Sequence, residues 1–310
     1  VLVGGYGDWL HKGGTAKTEV MDTAYYAHLC DLMAQMAGAT GRATEAARFA
    51  KLRDTVRAAF AREFLRDDGS ILESSQTGYA LAFTMDLVPA RLRAAMTEKF
   101  NDSIKAFDWH LATGFIGTPR LMPALFAAGL DRTAWRVLMQ DTYPSWLYQV
   151  KLGATTMWER WDGWTPEAGF QAVTMNSFNH YGFGAVGESL YRHVAGIDTD
   201  GPGFRNIIIH PRTGGGLTFA HAAYEAVTGR IESNWKIEGG GLEAGGRFLL
   251  DVKIPAGSRA RIHIPAKSAS AVTEGGRALR ESTSVRVLPS ETPNEIICET
   301  GSGDYSFVVQ

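Results

Sequence analysis

Apolar residues recur at three- and four-residue spacing through roughly the first two thirds of the chain, the period of helices with one buried face. Over residues 19–37, Tyr25, Leu29, Leu32, Met33 and Met36 share such a face, with Asp22-Thr23 at its start. A second helix is expected over 44–64. Phe49, Leu52, Val56 and Phe60 form its buried stripe, and Arg48, Arg53 and Arg57 lie elsewhere. Two more are expected over 75–87 and 90–104, separated by Pro89. The next runs over 118–128, with Pro119 in its first turn and Gly129 just past its end. Asp131 is expected to cap a helix carrying Trp135 and Leu138. A short helix with Trp146 and Tyr148 follows, then a last one over 178–194 that ends at Gly196. No strand is expected in this half.

From Asp198 the pattern changes. Asp198-Thr199-Asp200-Gly201-Pro202-Gly203 reads as a linker or turn. Beyond it, short apolar runs alternate with glycine clusters, as at Ile207-Ile208-Ile209, Phe248-Leu249-Leu250-Asp251-Val252, Arg261-Ile262-His263-Ile264 and Ser306-Phe307-Val308-Val309. Several alternate with period two, as half-buried strands do. The expected organisation is a helical domain over 1–197 and an antiparallel β-sandwich over 198–310. In the helical part, alternate loops are long and carry Trp, Gly, Asp and His. That suits a toroid of paired helices with a site at one mouth, though a closed ring of six pairs needs more helices than this half supplies.

Composition narrows the function classes. The chain has 310 residues, is 45% hydrophobic and 21% charged, and carries a formal charge of -2. It lacks the electrostatic footprint of a nucleic-acid binder, and no apolar run has the length of a membrane span. Cys30 and Cys298 fall in different expected domains and form neither a disulfide framework nor a metal site. The start, Val1-Leu2-Val3-Gly4-Gly5, reads as the interior of a longer chain.

The chemistry concentrates between Tyr143 and Tyr181. Four of the eight tryptophans lie there: Trp146, Trp158, Trp161 and Trp164. Glu159 sits between Trp158 and Trp161, beside Arg160. Apolar rings raise a carboxyl pKa and a neighbouring guanidinium lowers it; such opposed influences mark acid–base groups. Indole faces also suit the C–H faces of a sugar. The expectation is a carbohydrate site with Glu159 as a catalytic carboxylate, against the plainer reading of a tryptophan-rich core with a surface ion pair. The run Gly4-Gly5-Tyr6-Gly7-Asp8-Trp9-Leu10 is a glycine-rich loop displaying an acid and an indole. Gln76-Thr77 is either site-lining or an ordinary helix start. His210 and His263 read as structural or solvated.

Five runs carry a resemblance: Gly-Asp-Trp-Leu at 7–10, Thr-Gly-Phe-Ile-Gly-Thr-Pro at 113–119, Tyr-Pro-Ser-Trp at 143–146, Gly-Ala-Thr-Thr-Met-Trp-Glu at 153–159 and Ser-Phe-Asn-His at 177–180. Together they resemble the C-terminal part of the bacterial α-L-rhamnosidases, glycoside hydrolase family 78. The resemblance covers essentially the whole chain. It implies part of an (α/α)6 toroid followed by the family's C-terminal β-domain, and inverting hydrolysis of terminal α-L-rhamnosides. It implies Glu159 as general base, with Trp9, His180, Asp8 and Trp158 at the sugar. No cofactor and no metal is implied; the expected partners are a rhamnose-containing glycoside and the N-terminal part of the same chain. One departure stands out. The family's general acid lies in a D-x-x-x-R-x-E segment upstream of the Gly-Asp-Trp loop, and this chain has no such pattern. Two alternatives remain: another inverting (α/α)6 glycosidase, or a non-catalytic carbohydrate-binding protein.

Overall fold

A computed structural model describes residues 5–14, 16–240 and 245–309; Gly4 of the glycine-rich loop and the start at Val1 lie outside them. The chain forms two compact units, Val1–Val186 and Gly187–Gln310.

The first unit is helical: α1 Thr18–Ala39, α2 Ala43–Phe64, α3 Gln76–Thr84, α4 Arg93–Lys105, α5 Thr118–Ala127, α6 Asp131–Leu138 and α7 Trp146–Lys151. In α2 three of the four expected stripe residues turn inward, with Val56 and Phe60 buried and Leu52 packed partly against the core; Phe49 is half-buried under Arg48 and packs outside it. In α1 the expected stripe turns outward. Val20, Met21, Ala24, Ala27, Cys30 and Ala37 are its buried residues, while Leu29, Leu32, Met33 and Met36 are exposed. The helix is apolar on both sides, so periodicity alone does not choose between them. The smaller side chains let α1 lie close to its neighbours. Asp131 is the first residue of α6 rather than its cap; Leu130 holds that position and makes no side-chain capping bond. Ser75 does cap α3, accepting from the Gly78 N–H at 3.0 Å.

Two strands were not expected: β1 Trp164–Thr165 and β2 Gly169–Phe170 form a small antiparallel hairpin. The expected helix over 178–194 is broken. A 3-10 turn Gly182–Ala185 leads into α8 Val186–Ser189, which widens into a π-helical turn Leu190–Ala195 and stops at Gly196 with φ 85°.

The second unit carries β3 Ile197–Thr199, β4 Asn206–Ile209, β5 Phe219–Ala226, β6 Gly229–Glu238, β7 Arg247–Ile254, β8 Arg259–Ile264, β9 Val272–Glu274, β10 Arg277–Ala278, β11 Val285–Leu288, β12 Ile296–Thr300 and β13 Gly303–Val309. One sheet has the order β10-β9-β13-β7-β6-β5, the other β11-β12-β8-β4-β3. Pairing is antiparallel except between β4 and β8. The stretch expected as a linker thus begins as edge strand β3. Trp235, Phe248, Leu250 and Phe307 of one sheet share a core with Ile207, Ile209, Ile262, Ile264 and Cys298 of the other. Alternation along the strands sends these residues inward, so the two sheets form a sandwich. The π-helical turn is tied to the first sheet: Ser233 Oγ donates to Ala195 O at 2.6 Å and Trp235 Nε1 to Val194 O at 2.7 Å.

His210 and His263 lie on the face of the second sheet opposite the core, and they are structural rather than solvated. Glu295 bridges them, with Oε1 3.0 Å from His210 Nε2 and Oε2 3.2 Å from His263 Nδ1. The rings stack at 4.1 Å with planes 10° apart. His263 Nδ1 is nevertheless buried without a hydrogen-bond partner, so Glu295 approaches both rings as an ion-pair contact and does not hydrogen-bond them both. Burial, then the neighbouring His263 and Arg212, push the His210 pKa down to about 3.

Candidate active site

The site is assembled by three segments far apart in sequence. The first is the loop carrying Asp8 and Trp9. Asp8 is 1% exposed. Its carboxylate accepts from Gly114 N at 2.9 Å, Ile116 N at 2.8 Å and Gly117 N at 3.0 Å, and from the Thr77 hydroxyl. The expectation that Asp8 meets a sugar hydroxyl is therefore corrected: its lone pairs are taken by the protein's own donors. Asp8 instead locks its loop to the second segment, 112–117. The backbones lie so close that a Cβ on Gly114 would stand 2.1 Å from the Trp9 carbonyl oxygen, so only glycine fits. Phe115 N donates to Trp9 O at 2.9 Å, and Lys12 N to Ala112 O at 2.9 Å. With its backbone held, the Trp9 indole stays 39% exposed, edge-on to Tyr6 at 5.3 Å.

Gln76 and Thr77 serve this bracket and do not line the site. Both are buried; Gln76 donates to His110 O at 3.0 Å and accepts from Ala112 N at 2.7 Å.

The third segment pairs Met157–Glu159 with Ser177–His180. Glu159 N donates to Ser177 O at 2.8 Å, Ser177 N returns to Glu159 Oε2 at 2.8 Å, and His180 N donates to Met157 O at 2.9 Å. One carboxylate oxygen of Glu159 is thus fixed by a backbone N–H, which leaves Oε1 for a ligand or water. Glu159 is partly exposed and is not pressed between indoles. Trp158 and Trp161 turn inward instead. Trp158 is 6% exposed and packs edge-on against Phe178 at 5.0 Å, so its expected place at the sugar is corrected to a core role. Trp161 is fully buried, stacked on Phe183 at 4.0 Å. The expected influence of Arg160 on Glu159 is also redirected: Arg160 Nε pairs with Asp162 at 3.2 Å. Lys12 reaches the same Asp162 at 3.9 Å and lies 5.0 Å over the Tyr143 ring.

His180 is held on three sides. Its ring stacks on Phe115 at 4.8 Å and on Tyr181 at 5.4 Å, and its Nδ1 accepts from Gly182 N at 3.1 Å. An accepting Nδ1 carries no proton, so Nε2 is the ring nitrogen left to carry the N–H. The geometry therefore gathers the surroundings of Trp9, Glu159 and His180. Phe115 joins the Trp9 loop to His180, and the backbone pairing joins His180 to Glu159. Lys12 joins the Trp9 loop to Asp162, just beyond Glu159. Phe115 and Lys12 were not singled out from the sequence. Only the spacing within Thr-Gly-Phe-Ile-Gly hinted at the first, and nothing local marks the second. Of the carboxylates around this segment, Asp8 is engaged by four donors and Asp162 by two cations, while Glu167 is exposed.

The chain is 40% identical over 306 residues to an α-L-rhamnosidase from Streptomyces avermitilis, a match covering 98% of this chain and 28% of that protein. It is 30% identical over 311 residues to an α-L-rhamnosidase from Formosa agariphila, covering 97% of this chain and 33% of that one. The crystal structure of the Streptomyces avermitilis α-L-rhamnosidase complexed with L-rhamnose superposes with a TM-score of 0.91 at 38% identity, over 100% of this chain and 28% of that chain. The chain thus spans under a third of the first of these relatives. The family description "bacterial alpha-L-rhamnosidase C-terminal domain" matches residues 196–278. The description "bacterial alpha-L-rhamnosidase 6 hairpin glycosidase domain" matches residues 3–194, and with that match over most of its length the chain belongs to the bacterial α-L-rhamnosidase six-hairpin glycosidase family.

Proposed function

We propose that this chain is part of an inverting glycoside hydrolase that acts on terminal α-L-rhamnosides, with Glu159 as the general base. The observation that carries the reading is the state of Glu159: one oxygen is fixed by Ser177 N–H and the other is free, on a segment paired with that of His180. A carboxylate held this way keeps its direction while accepting a proton from water. In an inverting reaction that water attacks the anomeric carbon from the face opposite the leaving oxygen. The exposed Trp9 face is the platform for the sugar's C–H face, and His180 Nε2–H is a donor to a ring hydroxyl. An apolar indole also suits the C6 methyl of rhamnose.

An inverting pair stands about 6.5–9.5 Å apart across the bond. Asp8 has its lone pairs taken by the protein's own donors, and Asp162 is paired with Lys12 and Arg160. We place the acid on a further segment of a longer chain. The exposed side of α1 supports this, with Leu29, Met33 and Met36 uncovered and a groove of about 600 Å³ beside Tyr26 and Phe64. Further helices covering that side would complete the toroid. The same carboxylate count favours a second reading for the chain on its own: carbohydrate binding without hydrolysis.

Leaving-group dependence separates the two. In a longer chain carrying the family's acid segment, Glu159→Gln should lower turnover by about 10²–10⁴-fold, with the Michaelis constant nearly unchanged. The loss should persist on substrates with good leaving groups, because water still needs its base. A loss confined to poor leaving groups, or near-normal turnover, would remove Glu159 from the role.

A further inference from the structure

A second cavity lies wholly within the β-rich unit and uses none of the residues around Glu159. It measures about 270 Å³, a size that matches one sugar ring, and its walls come from α8, the π-helical turn, β3, β5 and the turn after β3. Its apolar walls are aromatic. Tyr191 stands on the π-helical turn, Tyr224 on β5, and Phe204 in the turn after β3. The Tyr191 and Tyr224 rings are 6.2 Å apart at 71°, and Phe204 meets Tyr224 at 4.8 Å. Both tyrosines are open to solvent, 44% and 40% exposed.

The polar wall is a fork of charges. Arg192 Nε pairs with Glu188 at 2.9 Å, and its Nη1 pairs with Asp198. Asp198 uses Oδ1 for this contact and for Thr199 N at 2.7 Å, which leaves Oδ2 and the remaining guanidinium N–H groups for a ligand. Side by side, a carboxylate oxygen and a guanidinium N–H offer an acceptor and a donor to two neighbouring hydroxyls.

Two backbone features are independent of the cavity's shape. Tyr191 and Arg192 both ride on the π-helical turn Leu190–Ala195. Such turns are rare and recur where a helix re-aims side chains at a functional site. Phe204 holds φ 55°, a left-handed conformation unusual for an aromatic residue.

Charge selects the ligand. One guanidinium against two carboxylates leaves the wall slightly negative, which disfavours phosphates and uronic acids. Crossed aromatic rings with an acceptor–donor pair suit a neutral ring that is apolar on its faces and hydroxylated at its rim. We propose that this cavity is a second carbohydrate subsite, holding one neutral pyranose unit of a larger glycan. It does not depend on Glu159 being a base, since a binding protein would use it equally.

The test is aromatic NMR on the 310-residue chain, with Tyr191, Tyr224 and Trp9 assigned and L-rhamnose, methyl glucoside and methyl galactoside as probes. A neutral pyranose should shift Tyr191 and Tyr224 saturably, with a dissociation constant on the order of millimolar. Trp9→Ala should leave that response unchanged. Arg192→Gln should weaken it about tenfold, the usual scale for losing a charged hydrogen-bond partner, while a normal melting curve reports the fold. Shifts at Trp9 alone would overturn the subsite and spare the reading of the Glu159 site. Non-saturating shifts at the tyrosines would also overturn it. So would protection of both rings by further segments of a longer chain, because the cavity would then be a seat for protein.

Discussion

Asp8 and Glu159 are both carboxylates beside a tryptophan, on loops of the same helical unit, and the protein treats them in opposite ways. Asp8 is buried and meets four donors, all its own chain's. Glu159 is partly exposed and meets one, the N–H of Ser177. A carboxylate with every lone pair taken is a structural rivet. One with a single oxygen fixed keeps a direction and retains the capacity to act on something else. The difference between architecture and chemistry here lies in the count of donors, not in residue type or in nearness to an indole.

The comparison breaks most visibly at Asp8. Asp8→Ala strips the acceptor from three backbone N–H groups and a buried hydroxyl, each costing about 1–3 kcal/mol when left unmet. A total loss of about 3–5 kcal/mol is expected, a large part of a typical domain's margin, read as an early urea transition of the helical unit. A loss under about 1 kcal/mol would mean that the rivet is not one. Gly114→Ala strikes the same bracket from the other side. Its Cβ would stand 2.1 Å from the Trp9 carbonyl, and the loops must part, at about 1–3 kcal/mol. Trp9 fluorescence should change with it; an unchanged spectrum and melting point would show that the two loops are not locked.

Acid offers a contrast from the β-rich unit. Burial pushes His210 down to about 3 and His193 down to about 4, from 6.5. Both are neutral in the folded chain and protonate more readily when it unfolds. Their stability contribution is therefore full above pH 6.5 and is lost as pH falls from there toward 4 and 3. Each removes at most about 1.4 kcal/mol per pH unit, and the Glu295 carboxylate beside His210 reduces its share. Glu295→Gln should steepen the acid loss. A melting temperature flat between pH 7 and 4.5 would contradict this account. The smallest effect belongs to Phe115→Ala, which removes one wall of the His180 stack. L-rhamnose affinity should fall by about 0.5–1.5 kcal/mol, the worth of an aromatic pair; unchanged affinity would detach Phe115 from the site.

Much of this was legible in the chain. α2 reads correctly because only one of its faces is apolar. The longer strands of the second unit read correctly because a two-residue period beside glycine turns has few other meanings, whereas the short β1, β2 and β3 are too brief to show a period. α1 misleads because both of its faces are apolar, and packing chose the smaller side chains. The break in the last helix does carry a local signal, Gly182, Gly184 and Gly187, which the apolar period alone does not register. Motifs nominate Glu159, Trp9 and His180 as candidates, but Asp8's part could not be read from them. Its partners lie near residues 77 and 114–117, and a saturated carboxylate looks the same in sequence as a free one. Trp158 misled for a related reason: the residues beside Glu159 turn inward, toward Phe178 and Phe183, and only the fold shows where those rings are.

The most direct test sets Asp8→Asn beside Glu159→Gln in an active longer chain and measures turnover and melting temperature on both. Each swap is nearly isosteric and removes one negative charge. The account predicts that Glu159→Gln melts like the parent and loses turnover by about 10²–10⁴-fold. Asp8→Asn should melt markedly lower, yet keep turnover within about tenfold at temperatures where it stays folded. The reverse pattern, with Asp8→Asn stable and inactive or Glu159→Gln unstable and active, would contradict the assignment of the two carboxylates.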